Sequence, residues 1–235
     1  MSQPRFEPLI SDVLQRAPLV FCPGHALKRD MVAAGFSADK IVPFNNGVNH
    51  AVFYVEEEPE KKTGDHLLFV GNLVAVKAVD RLIRAWALLQ IDKAGQEHAA
   101  TRLVIVGSGP RRKDLEKLAA ELAVGDSIEF RGAIPHGAIA AEMRRAHALV
   151  LPSRSEGMPN VVLESLACGT PVVATDVGEV PYLLKNGVNG YVVPTTDDQG
   201  KPLDETRKTK ELADRLAMVL AAKWRPLKVA DTVKG

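Results

Sequence analysis

Cysteine is scarce in this chain of 235 residues: Cys22 and Cys168 stand 146 positions apart, and no CxxC pair occurs. That spacing argues against a disulfide framework or a cysteine zinc site and leaves two buried thiols as the expectation. Excess charge is lacking too. Lys and Arg number 30 against 29 Asp and Glu, a formal net charge of +1, so no global field draws the chain to nucleic acid or to an acidic membrane. Any anion it binds must be held locally. No apolar run approaches the roughly 18–20 residues that span a bilayer. The opening MSQPRFEPLISD also has no apolar stretch of the signal-peptide kind. A cytoplasmic protein without a transmembrane segment is expected. The six histidines, His25, His50, His66, His98, His136 and His147, show no ligand spacing such as HxxxH, so no metal and no cofactor is expected. Patterns of the GxSxG type, the phosphate loop GxxxxGK with Ser or Thr, and a plausibly spaced Cys/His pair are missing as well. Their absence argues against hydrolase and NTPase chemistry.

What is present is an ordinary globular balance, with 46% hydrophobic and 25% charged residues, in a length that allows one large domain or two small ones. From residue 66 onward, short β-branched runs alternate with amphipathic stretches. HLLFVGN (66–72), RLVIVGS (102–108), SIEFRGA (127–133), ALVLPS (148–153), PVVATDV (171–177) and GYVVP (190–194) read as strands. Between them, Val79, Leu82, Ile83, Trp86, Leu88 and Leu89 fall near helical spacing, and Leu115, Leu118, Ala119 and Leu122 repeat the pattern. Six such strands with crossover helices make a doubly wound, Rossmann-like α/β domain with a parallel sheet. Right-handed crossovers line up the strand C-termini along one edge, where ligands of open sheets bind.

The first 45 residues follow another pattern: a strand-like PLVFCPG (18–24), a helical HALKRDMVAAG ending at Gly35, and an extended KIVPFNNGVN. The polar segments EEEPEKKTGD (56–65) and TTDDQGKPLDETRKTK (195–210) read as solvated loops, with a last helix at ELADRLAMVLAAKW. The expected division is a remnant of another domain over 1–45, the α/β domain over 46–222, and a tail over 223–235.

The stretch SRSEGMPNVVLESLACGTPVV carries the most chemistry. A strand ends at Ser153, a loop follows, and a helix begins near Pro159, which suits a first helical turn. Gly157 permits a tight turn, and the free amides of Met158, Asn160 and Val161, backed by the positive end of the helix, form a place for a phosphate. Glu156 lies in the loop and Glu164 about a turn inside the helix. Carboxylates beside an anion are costly unless neutral hydroxyls donate to them, as those of a sugar or a ribose would. A solvated loop carboxylate and a surface helix carboxylate remain the plainer reading of the pair.

SRSEGMPNVVLESLACGTPVVATDVGEVPYLL, with FVGNLVAVKAVDRLIRAW, LVIVGSGPRRKDLEKLA, FRGAIPHGAI and NGVNGYVVP, resembles the C-terminal domain of retaining glycosyltransferases of family 4, which have the two-domain GT-B architecture. The motifs run in order over residues 66–194. APLVFCPGHALKRDMVAAGFSADKIVPFNNGVN is similar to the end of that family's N-terminal domain, so the chain is expected to be a fragment carrying the donor-binding half. The resemblance implies that Glu156 contacts the transferred sugar, that Glu164 takes the ribose hydroxyls, and that Ser155, Gly157, Met158, Pro159, Asn160 and Val161 surround the diphosphate. Of the basic pair that follows the first strand of this domain, Lys77 is kept, while Asn72, next to Gly71, stands where the family has Arg. Asn72 can donate a hydrogen bond but cannot neutralise charge. Compensation by Arg154 or Arg111 is left open. The loop with Gly107, Gly109 and Pro110 is expected near the nucleoside, and Ile134, with Arg131 nearby, at the base.

The function these features imply is binding of a nucleotide-diphosphate sugar for retaining hexosyl transfer, with Lys77 and Glu156 as the catalytic residues. The acceptor, a sugar or lipid-linked sugar, would lie on the missing half, which places the family in polysaccharide biosynthesis and leaves this chain alone inactive. Self-association through residues 1–45 is a further expectation, since apolar side chains there would lack cover. Two other classes stay open: a nicotinamide-dependent oxidoreductase using VIVGSGP with Glu129 as ribose carboxylate, against which the missing third glycine counts, and a binding module without chemistry. Epimerases and phosphorylases of the same architecture also remain, because fold does not set function.

Overall fold

The computed structural model describes residues 8–56, 66–92 and 102–233. Most of the segment read as a loop at 56–65 lies outside the described residues, as does His98. In the first unit, α1 (Pro8–Arg16) precedes β1 (Val20–Pro23), α2 (Gly24–Ala33) and β2 (Ile41–Phe44). The two strands pair in parallel, with Phe21 opposite Val42 and Pro23 opposite Phe44. Paired residues of a parallel ladder share a face. Cys22 and Ile41 point into a small core with Met31, whereas Phe21, Val42 and Phe44 stand exposed on the opposite face.

The second unit is a sheet of β3 (His66–Val70), β4 (Arg102–Val106), β5 (Ile128–Gly132), β6 (Ala148–Leu151), β7 (Val172–Thr175) and β8 (Gly190–Val193). Its spatial order is β5-β4-β3-β6-β7-β8, and every pairing is parallel. All six expected strands are present, each trimmed at its ends. Alternate residues feed opposite faces. Leu67, Phe69, Leu103 and Ile105 join one core with α3 (Val79–Asp92), α4 (Arg112–Glu121) and α8 (Glu205–Ala221). Leu68, Val104, Leu149 and Leu151 join the other with α5 (His136–Arg145), α6 (Asn160–Ala167), α7 (Val180–Leu183) and α9 (Pro226–Ala230). Burial on both faces is why these strands read as continuous apolar runs. On α3 the expected face is buried, including Trp86, whose Nε1 donates to Ser127 Oγ at 2.8 Å. Leu88 is the exception and faces solvent.

Two sequence expectations change. The last helix begins at Glu205, inside the segment read as a loop over 195–210, because Asp204 accepts from the Arg207 amide as an N-cap and Glu205 pairs with Arg81. Residues of the expected tail form α9, where Val229 and Ala230 are buried.

The strand order reverses between β3 and β6, and that reversal opens a crevice at their C-terminal ends. The first unit is tied to the same region by Glu179. Its buried carboxylate accepts from the amides of His25 (2.7 Å) and Ala26 (2.8 Å), the first turn of α2. A Cβ on Gly24 would lie 2.2 Å from Glu179 Oε2, so only glycine fits there. The anchor offers a direct check. Glu179→Ala removes two charge-assisted hydrogen bonds of about 1.5–3 kcal/mol each, so amide hydrogen exchange over 20–44 is expected to accelerate at least tenfold while the six-stranded sheet stays protected. Equal rates in variant and parent would show that the anchor is idle.

Candidate functional site

Two loops leave adjacent strands at the reversal. After β3 the chain runs through Gly71 and Asn72 into a short 3-10 turn, Ala75–Lys77, and turns into α3 at Ala78, a buried non-glycine residue in left-handed conformation (φ 49°). After β6 it runs through Ser153, Arg154, Ser155, Glu156 and Gly157 to Pro159, the N-cap of α6. The loops are stitched together. The Arg154 amide donates to the Val76 carbonyl at 2.8 Å, and its Nη1 to the Ala75 carbonyl at 2.7 Å. The buried Arg81 donates to the Pro152 carbonyl at 3.2 Å, and Thr175 Oγ1 to that of Ser153 at 2.7 Å.

These bonds bring Lys77 and Glu156 together across 79 positions of sequence. Lys77 Nζ donates to both carboxylate oxygens, at 2.8 and 3.0 Å, with 9% of the Glu156 side chain exposed and 26% of the Lys77 side chain. The lysine therefore stands at the loop that leads into α6. Asn160 and Val161 open that helix, and first-turn amides have no carbonyl within the helix to bond. Asn160 also accepts, through Oδ1, a 2.6 Å bond from Asn46 Nδ2, which brings residues 45–56 over the helix start.

Arg154 and Arg111 share one acid. Asp80 accepts from Arg154 at 3.1 Å and from Arg111 at 3.3 Å. Burial pushes the Asp80 carboxyl up, but hydrogen bonding and charge from Arg154, with Arg111 beside it, outweigh burial and hold it below the usual carboxylate range. Glu205 follows the same logic: burial raises its carboxyl, and Arg81, Arg154 and Lys208 together hold it below the usual range. Arg154 and Arg111 thus both rest on Asp80. Asn72 is exposed.

The remaining expected residues divide. Arg131 is committed elsewhere, donating to Glu129 at 2.7 Å and pairing with Glu142 at 2.6 Å. That engagement also occupies Glu129, the carboxylate the oxidoreductase reading needs. Gly107 and Gly109 are explained by their own chain: added Cβ atoms would lie 1.9 Å from the Gly71 oxygen and 2.5 Å from the Leu73 oxygen. They let the β3 and β4 loops pass at backbone contact, with the Gly71 amide bonded to the Val106 carbonyl and the Arg111 amide to that of Leu73. Pro110 is exposed beside them, and Ile134 packs partly against the second core. Ser155 is exposed and Met158 half-buried.

The loop after β6 is backed by Gly178, in the turn between β7 and α7. Gly178 has φ 55°, and a Cβ there would lie 2.1 Å from the Glu156 carbonyl oxygen, while Gly157 has open space. Its signal was a glycine directly after a strand, but the partner is distant in sequence. Glu164 is 20% exposed and lies 3.4 Å from His136 Nε2, a contact the absence of ligand spacing concealed. Among the described residues no three His, Cys, Asp or Glu side chains converge on a cation site, and no helix is long and apolar enough to cross a membrane. The cavity of about 180 Å³ bounded by Leu14, Met31, Phe36 and Ile41 belongs to the first unit, away from the crevice.

Parallel strands in this order, with Lys77 and the loop into α6 joined at the reversal, define a doubly wound α/β domain. The chain belongs to a particular family of such domains: residues 53–217 match the model of the glycosyl transferases, group 1. It is 37% identical over 172 residues to the D-inositol 3-phosphate glycosyltransferase of Frankia alni, covering 72% of this chain and 41% of that protein. Among solved structures, sucrose-phosphate synthase from Thermosynechococcus elongatus superposes with TM-score 0.73 at 25% identity, over 96% of this chain and 54% of that one. Anabaena HepE in complex with UDP gives 0.67 at 19% identity, over 94% and 64%, a likeness of fold alone. The chain thus spans 41–64% of the length of these three proteins.

The acid network yields a pH prediction. A carboxylate whose folded pKa is depressed contributes stability that is present above its unfolded value, near 3.9, and lost as pH falls through the folded value. Asp80→Asn should cost about 1–3 kcal/mol at pH 7 by leaving two arginines short of a partner. The gap to the parent should narrow in acid, as the pH falls below about 3.9 and on through the depressed folded value of Asp80. Urea melts at pH 7 and in acid measure it, and a gap that persists in acid contradicts the assignment.

Proposed function

We propose that this chain holds the nucleoside diphosphate of a sugar donor at the crevice between β3 and β6, as the donor-binding half of a retaining glycosyltransferase. The observation that carries the reading is the meeting of Lys77, Glu156 and the start of α6 at the strand reversal. A helix start contributes at most about 2 kcal/mol toward an anion, whereas micromolar binding takes about 8 kcal/mol, so a cation is needed beside it. Lys77 supplies it. Resting on Glu156, it is held in place before ligand arrives. When the glycosidic bond breaks, negative charge grows on the leaving diphosphate, and a pre-positioned ammonium with backbone amides lowers the barrier by stabilising that charge.

Glu156 then serves twice, holding the lysine and accepting from sugar hydroxyls. Glu164 accepts from the ribose. Gly157 to Val161 line the diphosphate, Gly71 and Asn72 border it, and Ile134 meets the base. Retention of configuration is carried over from the family, as are the acceptor, a sugar or lipid-linked sugar, and its place on a second domain. A cytoplasmic setting and action without a metal accompany this reading. The membership in the glycosyl transferases and the engaged Glu129 favour it over a nicotinamide enzyme.

Calorimetry with UDP, GDP and ADP should show binding to at least one, and silence from all three at millimolar levels would end the proposal. Lys77→Ala should weaken the bound diphosphate roughly 10–100-fold, the value of one charge-assisted hydrogen bond, while leaving the parent nucleoside nearly unaffected. Equal losses for both would contradict the phosphate contact.

A further inference from the structure

His136 opens α5 directly after Ile134 and Pro135, and its Nε2 stands 3.4 Å from Glu164 Oε1. The imidazole meets the ring of Phe53 edge-on, with centroids 5.0 Å apart and planes at 72°. Phe53 is itself 1% exposed, a fixed wall contributed by the segment that also places Asn46 on Asn160. The start of α5 therefore stands against the Glu164 carboxylate of α6, and residues 45–56 back the imidazole through Phe53.

The arrangement has a chemical consequence. A glutamate on a helix surface has several rotamers of similar energy, and a ligand that needs one of them must meet the cost of ordering it. An imidazole that rests edge-on against an aromatic wall and stands 3.4 Å from Oε1 lowers that cost beforehand by favouring one carboxylate rotamer, although 64% of its own side chain is exposed. A carboxylate offers about four lone-pair sites, so a neighbour beside Oε1 leaves enough for both hydroxyls of a vicinal diol. We infer that His136 is a positioning residue that holds Glu164 for the two ribose hydroxyls, and thereby makes the site prefer ribonucleotides over 2′-deoxyribonucleotides. The inference rests on the reading of Glu164 given under the proposed function. His136 itself, a lone histidine without ligand spacing, has no part in that reading.

The test compares affinities by calorimetry for UDP and 2′-deoxy-UDP, or for the GDP or ADP pair if one of those is the diphosphate bound, using the whole chain. The parent should prefer the ribonucleotide, and Glu164→Ala should abolish that preference. His136→Ala should reduce it about two- to tenfold, the range of one net hydrogen bond. His136→Gln, whose side-chain amide can place an N–H near the same spot, should restore most of it. A residue that only supports the fold would weaken both nucleotides alike and leave their ratio unchanged, and that result for His136→Ala overturns the inference. If Glu164→Ala keeps the full preference, the ribose reading of Glu164 fails and the inference falls with it. If Glu164→Ala loses the preference but His136→Ala keeps it, the inference about His136 alone fails. Absence of binding by all three diphosphates removes both.

Discussion

The crevice depends on two loops from neighbouring strands being held edge to edge. The hydrogen bonds from Arg154 to the backbone of Ala75 and Val76 join the turn bearing Lys77 to the loop bearing Glu156, and the bonds from Lys77 to Glu156 close the same seam. Arg154 is in turn held by Asp80 from the first turn of α3, and Arg81 beside it grips both Glu205 and the carbonyl of Pro152. The cations at this edge are thus held by the chain's own acids and carbonyls. Burying an arginine such as Arg81 is tolerable because its donors meet a carboxylate and a carbonyl.

With a net charge of +1, the chain pairs its cations at the strand reversal with its own acids and backbone. Arg154, Arg111 and Arg81 rest on Asp80, Glu205 and the carbonyls of Ala75 and Pro152, and Lys77 rests on Glu156. A side chain held in this way has already given up the rotamer freedom that an exposed lysine keeps. Gly178 and Glu179 extend the same rigidity outward. One lies under the Glu156 carbonyl and the other caps α2, so the first unit and the loop after β6 share a two-residue junction.

Much of this was legible from local sequence. The six strands, the two crossover helices and the loop-to-helix passage at Glu156 were visible because burial on both sheet faces makes compact β-branched runs, and because glycine and proline punctuate the turns between them. Lys77 and Glu164 were visible through resemblance to a family. The start of α8 was missed although Asp204 is an ordinary N-cap, because the surrounding residues are polar and the apolar stripe begins only later. Gly107 and Gly109 lie against the backbone of the β3 loop, a packing reason that no local pattern displays.

What could not be read locally has one physical cause. The pairings Lys77 with Glu156, Asp80 with Arg154, Glu179 with the start of α2, and His136 with Glu164 join residues 28 to 154 positions apart. Periodicity and turn chemistry report only on neighbours within a few residues. The sequence alone was enough for the class of fold and for the residue types at the C-terminal edge of its sheet. The folded chain was needed to show which acid each arginine meets, which glycine lies against the Glu156 carbonyl and which histidine stands by Glu164, because those follow from the order in which parallel strands lie side by side.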